Sequence, residues 1–80
     1  MTPSSDDSGA VTVARVRSQL QSGEARAIRE QAGLSQQEIA RSLGVHELSV
    51  NAWETGRKVP RYDAALAYAR LLDQLQDLAR

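Results

Sequence analysis

The stretch Ser35-Gln-Gln-Glu38 constrains this chain more than any other. A serine followed three residues later by glutamate, just before an apolar run, is a capping box: the hydroxyl accepts from the Glu38 amide, and the carboxylate reaches back to the Ser35 amide. It starts a helix over residues 36–43, with Ile39, Ala40 and Leu43 turned inward. Gly44 ends that helix, since glycine accepts a positive φ without a Cβ clash. Val45 then plugs the corner. A second short helix, residues 47–55, follows and is stopped by Gly56. Two short helices joined by about three residues beginning with glycine have the spacing of a helix-turn-helix, whose second helix lies in the DNA major groove.

The flanks read as helix as well. Val13, Val16 and Leu20 recur at amphipathic spacing and predict a helix over residues 12–21. Ser22-Gly23 breaks it, and one of the two caps a helix over residues 24–31 that offers Ala25, Ala27 and Ile28 to the interior. Gly33 stops it. "RKVP" is a loop. Pro60 leads into a last helix over residues 62–78, striped by Tyr68, Leu71, Leu72, Leu75 and Leu78. No segment alternates as a strand does. Residues 1–10 are small, polar and slightly acidic, and predict a disordered tail ahead of one domain over residues 11–80. The expected class is all-α, a compact five-helix domain with its motif at about residues 35–56.

Bulk properties exclude several functions. Eighty residues make one small domain whose core supplies only about 3–5 kcal/mol, so help from a partner is plausible. With no cysteine and a single histidine, His46, disulfides and thiolate or paired-histidine metal sites are ruled out, and no metal or cofactor is expected. No nucleophile–base pair or phosphate-cradling loop is present, so no enzyme is expected. No apolar run approaches the ~20 residues of a membrane span, and no secretion signal opens the chain; a cytoplasmic location is the default. Ten basic and ten acidic residues give zero net charge, which argues against a non-specific nucleic-acid coat but allows a small basic face.

The segment "GLSQQEIARSLGV…SVNAWETGRKVPR" resembles the Cro/phage-repressor (XRE-type) helix-turn-helix family. The matching residues are Leu34, Ser35-Gln36, Glu38, Ile39-Ala40, Leu43-Gly44-Val45, Val50, Trp53-Glu54, Gly56 and Pro60. The resemblance covers about residues 25–75. It implies a five-helix lambda-repressor-like domain, usually dimeric on two-fold DNA sites, that acts in transcriptional control, in the nucleoid or, if phage-encoded, in the host cytoplasm. It also implies that Glu54 pairs with Arg29, and that the Gln36 amide grips a phosphate and braces the reading helix; the bland alternative is that Gln36 is a solvated first-turn residue.

A helical wheel at ~100° per residue gives an independent view of residues 47–55. Ser49, Val50 and Trp53 share the inner arc, and Glu54 sits at the border. Glu47, Leu48, Asn51, Ala52 and Thr55 form the outer arc, which carries no positive charge. By chemistry Asn51 suits adenine, Glu47 suits cytosine N4, and Leu48 or Ala52 suits a thymine methyl. The alternatives are that Glu47 complements the helix dipole and that Leu48 meets a protein. His46 is either a compromise cap or a phosphate contact. Ser49 and Thr55 are phosphate donors by position, and Arg57, Lys58 and Arg61 form the one basic cluster, suited to phosphates beside the motif or to a solvated loop. Arg41 and Arg26 read as surface residues, with Arg26 a weak phosphate candidate. Trp53 and Tyr62 read as packing residues. The leucines of the last helix predict a homodimer contact. The leading expectation is a sequence-specific regulator of double-stranded DNA; the alternative is an antitoxin or other module that uses the same fold to hold a protein, a toxin or another regulator. A chain of this length leaves no room for a sensor domain, so regulation is expected through concentration, dimerisation or a partner.

Overall fold

The capping box forms in full: the Glu38 amide donates to Ser35 Oγ at 3.0 Å and the Ser35 amide to Glu38 Oε1 at 2.8 Å. The Ser35 backbone N–H, and next its side chain, hold the Glu38 carboxyl below its ordinary pKa. In the computed structural model, which describes residues 5–80 and side chains from residue 9 onward, five helices follow in order: α1 Ser5–Ser22, α2 Glu24–Gln31, α3 Gln36–Leu43, α4 Glu47–Glu54 and α5 Tyr62–Leu78. Among the described residues there is no strand. The protein is an all-α, five-helix domain.

Each end of the motif closes as its glycine dictates. At Gly44, φ is 72°, and the Val45 and Gly44 amides donate to the Ala40 and Arg41 carbonyls at 3.0 and 3.3 Å. This is the paired bonding of a Schellman close, and it turns the chain from α3 into α4 within three residues. Gly56, at φ 80°, repeats the device after α4: the Arg57 and Gly56 amides donate to the Ala52 and Trp53 carbonyls at 2.9 and 3.3 Å. Ahead of α2, Gly23 is the capping residue but supplies no side chain; the Ser22 hydroxyl accepts from the Glu24 amide at 3.3 Å.

The core gathers one stripe from each helix: Val13, Val16 and Leu20 of α1, Ala25 of α2, Ile39 and Ala40 of α3, Val50 and Trp53 of α4, and Ala65, Tyr68, Ala69, Leu72 and Leu75 of α5. Trp53 and Tyr68 pack ring against ring, centroids 6.0 Å apart and tilted by 39°. The long helices α1 and α5 pack against each other and carry the shorter three. Arg17 of α1 ties down the chain between α4 and α5: its Nε and Nη2 donate to the Pro60 carbonyl at 3.2 and 2.9 Å.

The structure departs from the sequence reading in several places. α1 begins at Ser5, so part of the expected tail, residues 5–10, is helical; residues 1–4 lie outside the described residues. A composition argument weighs burial alone, whereas a helix already nucleated extends by gaining one hydrogen bond per added residue. Ala27 is exposed, because Ala25 and Arg29, one turn apart, are the residues α2 turns inward. Tyr62 is 46% exposed at the start of α5, and its hydroxyl lies against Gly9 of α1, so it covers a helix edge and does not fill the core. Leu75, read with Leu78 as a dimer contact, is buried in its own domain at 9% exposure, and only Leu78, at 81%, stands clear where the stripe outruns the domain it packs on.

Candidate nucleic-acid interface

The interface is organised around a buried carboxylate. Glu54 ends α4 at the border between its inner and outer arcs, and its side chain is 2% exposed. Arg29 answers it from α2: Nε and Nη2 donate to Oε2 and Oε1 at 2.7 and 2.9 Å, a two-pronged pair, while Nη1 donates to the Leu34 carbonyl at 2.8 Å. Burial pushes the Glu54 carboxyl up, but the hydrogen bonds from Arg29 and Gln36 and the nearby charges of Arg29 and Arg26 outweigh it, and the net direction is down. The bond to Glu54 raises the Arg29 pKa against the effect of its own burial. The pair thus stands where the resemblance placed it and is ionised.

From Glu54 a chain of side-chain bonds runs out to the surface. Gln36 Nε2 donates to Glu54 Oε1 at 2.9 Å, and Asn51 Nδ2 donates to Gln36 Oε1 at 3.3 Å. Arg57 Nη2 donates to Asn51 Oδ1 at 2.8 Å, and Arg57 Nε to Thr55 Oγ1 at 3.3 Å. The Thr55 hydroxyl in turn donates to the Asn51 carbonyl at 2.9 Å. Gln36 is therefore a brace: it joins α3 to two side chains of α4. Its amide is engaged on both sides within the protein, and so is that of Asn51.

The remaining site residues divide by exposure. Glu47 is exposed and Leu48 is 70% exposed on the open face of α4. Ser49 is half-buried. His46 caps α4, its Nδ1 accepting from the Leu48 amide at 3.0 Å. Arg57, Lys58 and Arg61 are all exposed beyond Gly56, on the segment that Arg17 anchors at Pro60. Arg26 is paired with Glu30 at 3.1 Å, and Arg41 is exposed.

One expected base contact is corrected. Ala52 is only 9% exposed. The wheel put it on the outer arc, but a wheel treats the helix alone; here the chain turns back after Gly56, and the Arg57 and Lys58 amides both donate to the Ala52 carbonyl, at 2.9 and 3.2 Å. Two side-chain contacts had no signal in the sequence. Arg17 carried no assigned role, yet it reaches a carbonyl 43 positions away. Arg57 was read with Lys58 and Arg61 as a phosphate contact or a solvated loop charge, yet its side chain folds back onto α4.

Among the described residues no cluster of histidine, cysteine, aspartate or glutamate is arranged to hold a metal ion, and no helix is long and apolar enough to cross a membrane. Neither a curated relative nor a solved structure matches the chain significantly. A family of helix-turn-helix domains matches residues 22–80, from the end of α1 through the motif to the end of α5. Given that match across most of the chain and the α3–turn–α4 geometry above, the protein belongs to this helix-turn-helix family, in keeping with the Cro/phage-repressor resemblance of its sequence.

Proposed function

We propose that the protein is a sequence-specific regulator that binds double-stranded DNA with α4 in the major groove. The observation that carries this reading is the open face of α4, where Glu47 and Leu48 stand exposed, flanked on the chain by the exposed cations Arg57, Lys58 and Arg61. Cations beside the reading helix supply affinity through phosphates, and the helix face supplies choice among bases. Lys58, Arg61 and Ser49 take phosphate roles, while His46 serves α4 as a cap and Thr55, whose hydroxyl donates to the Asn51 carbonyl, serves the end of α4. The N-terminus of α3 adds backbone donors for a phosphate. Glu47 acts by accepting from cytosine and by rejecting bases that offer it no donor. The working unit is a homodimer formed through α5, with two copies of α4 about one DNA turn, ~34 Å, apart.

The test is selection of bound duplexes from a random DNA pool, followed by titration at several salt concentrations. The expected result is an enriched two-fold site and a log–log salt slope near −0.9 per phosphate neutralised. A protein that retains no duplex at low salt does not have this function.

A second reading has an observation of its own. Leu48 and Val59 are 70% and 65% exposed beside the motif, more apolar surface than DNA contact requires, and they suit a protein partner such as a toxin or another regulator. Arg61→Ala separates the two: it weakens DNA retention and spares a protein complex held by Leu48 and Val59.

A further inference from the structure

We propose that Arg57 is a base-reading residue, specific for guanine, and that Asn51 is the residue that positions it; the proposal rests on the DNA-binding reading above. α4 carries no positive charge between Glu47 and Glu54. Arg57 supplies one from outside the helix. Past Gly56 the chain turns back, and the Arg57 side chain lies over Asn51 and Thr55, which stand one turn apart on the outer arc.

The geometry distinguishes this arginine from a general phosphate contact. A guanidinium has five N–H donors in a rigid fork. One edge of the fork, Nε with Nη2, is committed to α4: Nε donates to Thr55 Oγ1 at 3.3 Å and Nη2 to Asn51 Oδ1 at 2.8 Å. The end edge, Nη1 with the second hydrogen of Nη2, takes no part in those bonds. That edge presents two parallel donors, the match for the O6 and N7 acceptors of guanine in the major groove. Anchoring also removes side-chain freedom before binding, so less is lost on contact. The anchor itself is held, because Asn51 donates to Gln36, Gln36 to Glu54, and Glu54 is clamped by buried Arg29. Bonds thus run without a break from the core to the Arg57 fork.

The same bonds change the part expected of Asn51. Reading adenine takes its donor and its acceptor together; Nδ2 already serves Gln36 and Oδ1 already serves Arg57, so a bidentate base contact would compete with both bonds. Its place is behind the reading group.

The experiment compares the wild-type chain with Arg57→Lys, Asn51→Ala and the double variant, each in pool selection and then in competition against duplexes carrying every base at each enriched position. Lysine keeps the charge and loses the fork. The expected result is a guanine required by the wild type in each half-site, with Arg57→Lys losing at least about tenfold of that preference while the other positions and the salt slope hold. Asn51→Ala relaxes the same position, and the double variant is no worse than Arg57→Lys. If Arg57→Lys keeps the guanine preference, or Asn51→Ala relaxes an adenine position that Arg57→Lys leaves alone, the proposal is overturned while DNA binding stands. A wild-type chain that enriches no duplex overturns both. Arg57 is exposed, so its lysine variant folds and its outcome decides even where Asn51→Ala loosens α4.

Discussion

Arg29 and Glu54 form a two-pronged ion pair at 2.7 and 2.9 Å that joins α2 to the end of α4, with only 9% and 2% of their side chains exposed. Removing one partner leaves the other charge buried without its match. Arg29→Ala or Glu54→Ala is therefore expected to cost about 3–5 kcal/mol, which for a domain this small approaches the whole of its stability. Replacing both by apolar residues of similar size, as in Arg29→Met with Glu54→Leu, is expected to cost much less than the two single losses added together. Urea unfolding of the four proteins measures this; additive losses would show that the two side chains do not act as a pair.

The pair also sets the acid limit of the fold. The Glu54 and Glu38 carboxyls both lie below their ordinary values, Glu54 through Arg29 and Gln36 despite its burial, and Glu38 through the Ser35 cap. A carboxyl whose folded pKa is depressed stabilises the fold fully above the unfolded value, near 4.3, and loses that contribution as pH falls through the folded value. Stability is expected to hold from pH 7 to about 5 and to decline below that. Carboxyl-carbon titration by NMR gives the direct reading; a Glu54 that titrates at or above the ordinary value would contradict the paired state.

Tyr68 gives a prediction of opposite sign. It is fully buried against Trp53, and among the described residues no group bonds to its hydroxyl. Burial, then the Glu54 carboxylate, pushes its pKa up to about 12, with Arg29 opposing. A hydroxyl desolvated without a partner costs about 1–3 kcal/mol. Tyr68→Phe removes it at almost constant volume, so the variant is expected to be at least as stable as the wild type by thermal melting. A loss above about 1 kcal/mol would mean that the hydroxyl is satisfied.

Which features could be read from sequence follows from how far apart their causes lie. The capping box at Ser35 and Glu38 and the close at Gly44 are written within a few residues, and they appear as expected. The inner arc of α4, Val50 and Trp53, is a matter of period. The Arg29–Glu54 pair spans 25 positions and was expected only because the motif resembles a known family. Links without such a guide were missed: Arg17 on the Pro60 carbonyl, Ala52 covered by the returning chain, and the fold-back of Arg57. All three depend on the direction the chain takes after Gly56, which a period or a composition does not encode.

Gly44 tests the turn itself. Its φ of 72° suits glycine, and a Cβ added there meets nothing within 4 Å, so substitution brings a backbone cost with no clash. Gly44→Ala is expected to cost about 1–2 kcal/mol. Gly44→Asn should cost less, since asparagine tolerates the left-handed region better than alanine does. Equal losses for the two variants, measured by urea unfolding, would mean that the turn tolerates a change of φ.

The exposed end of α5 tests the dimer. Leu78 is 81% exposed, at the rim of a groove of about 650 Å³ that Ile28, Leu34 and Leu75 also line. An apolar side chain that touches so little of its own domain contributes little to the monomer fold, so Leu78→Asp is expected to leave the melting of the isolated domain nearly unchanged. Placed across a two-fold contact, the same change sets two carboxylates near each other in apolar surroundings, which disfavours association. Sedimentation equilibrium is expected to show the wild type associating with rising concentration and Leu78→Asp remaining monomeric, with weaker retention of a two-half-site duplex and unchanged retention of a single half-site. If Leu78→Asp associates as the wild type does, the dimer contact lies elsewhere on the domain.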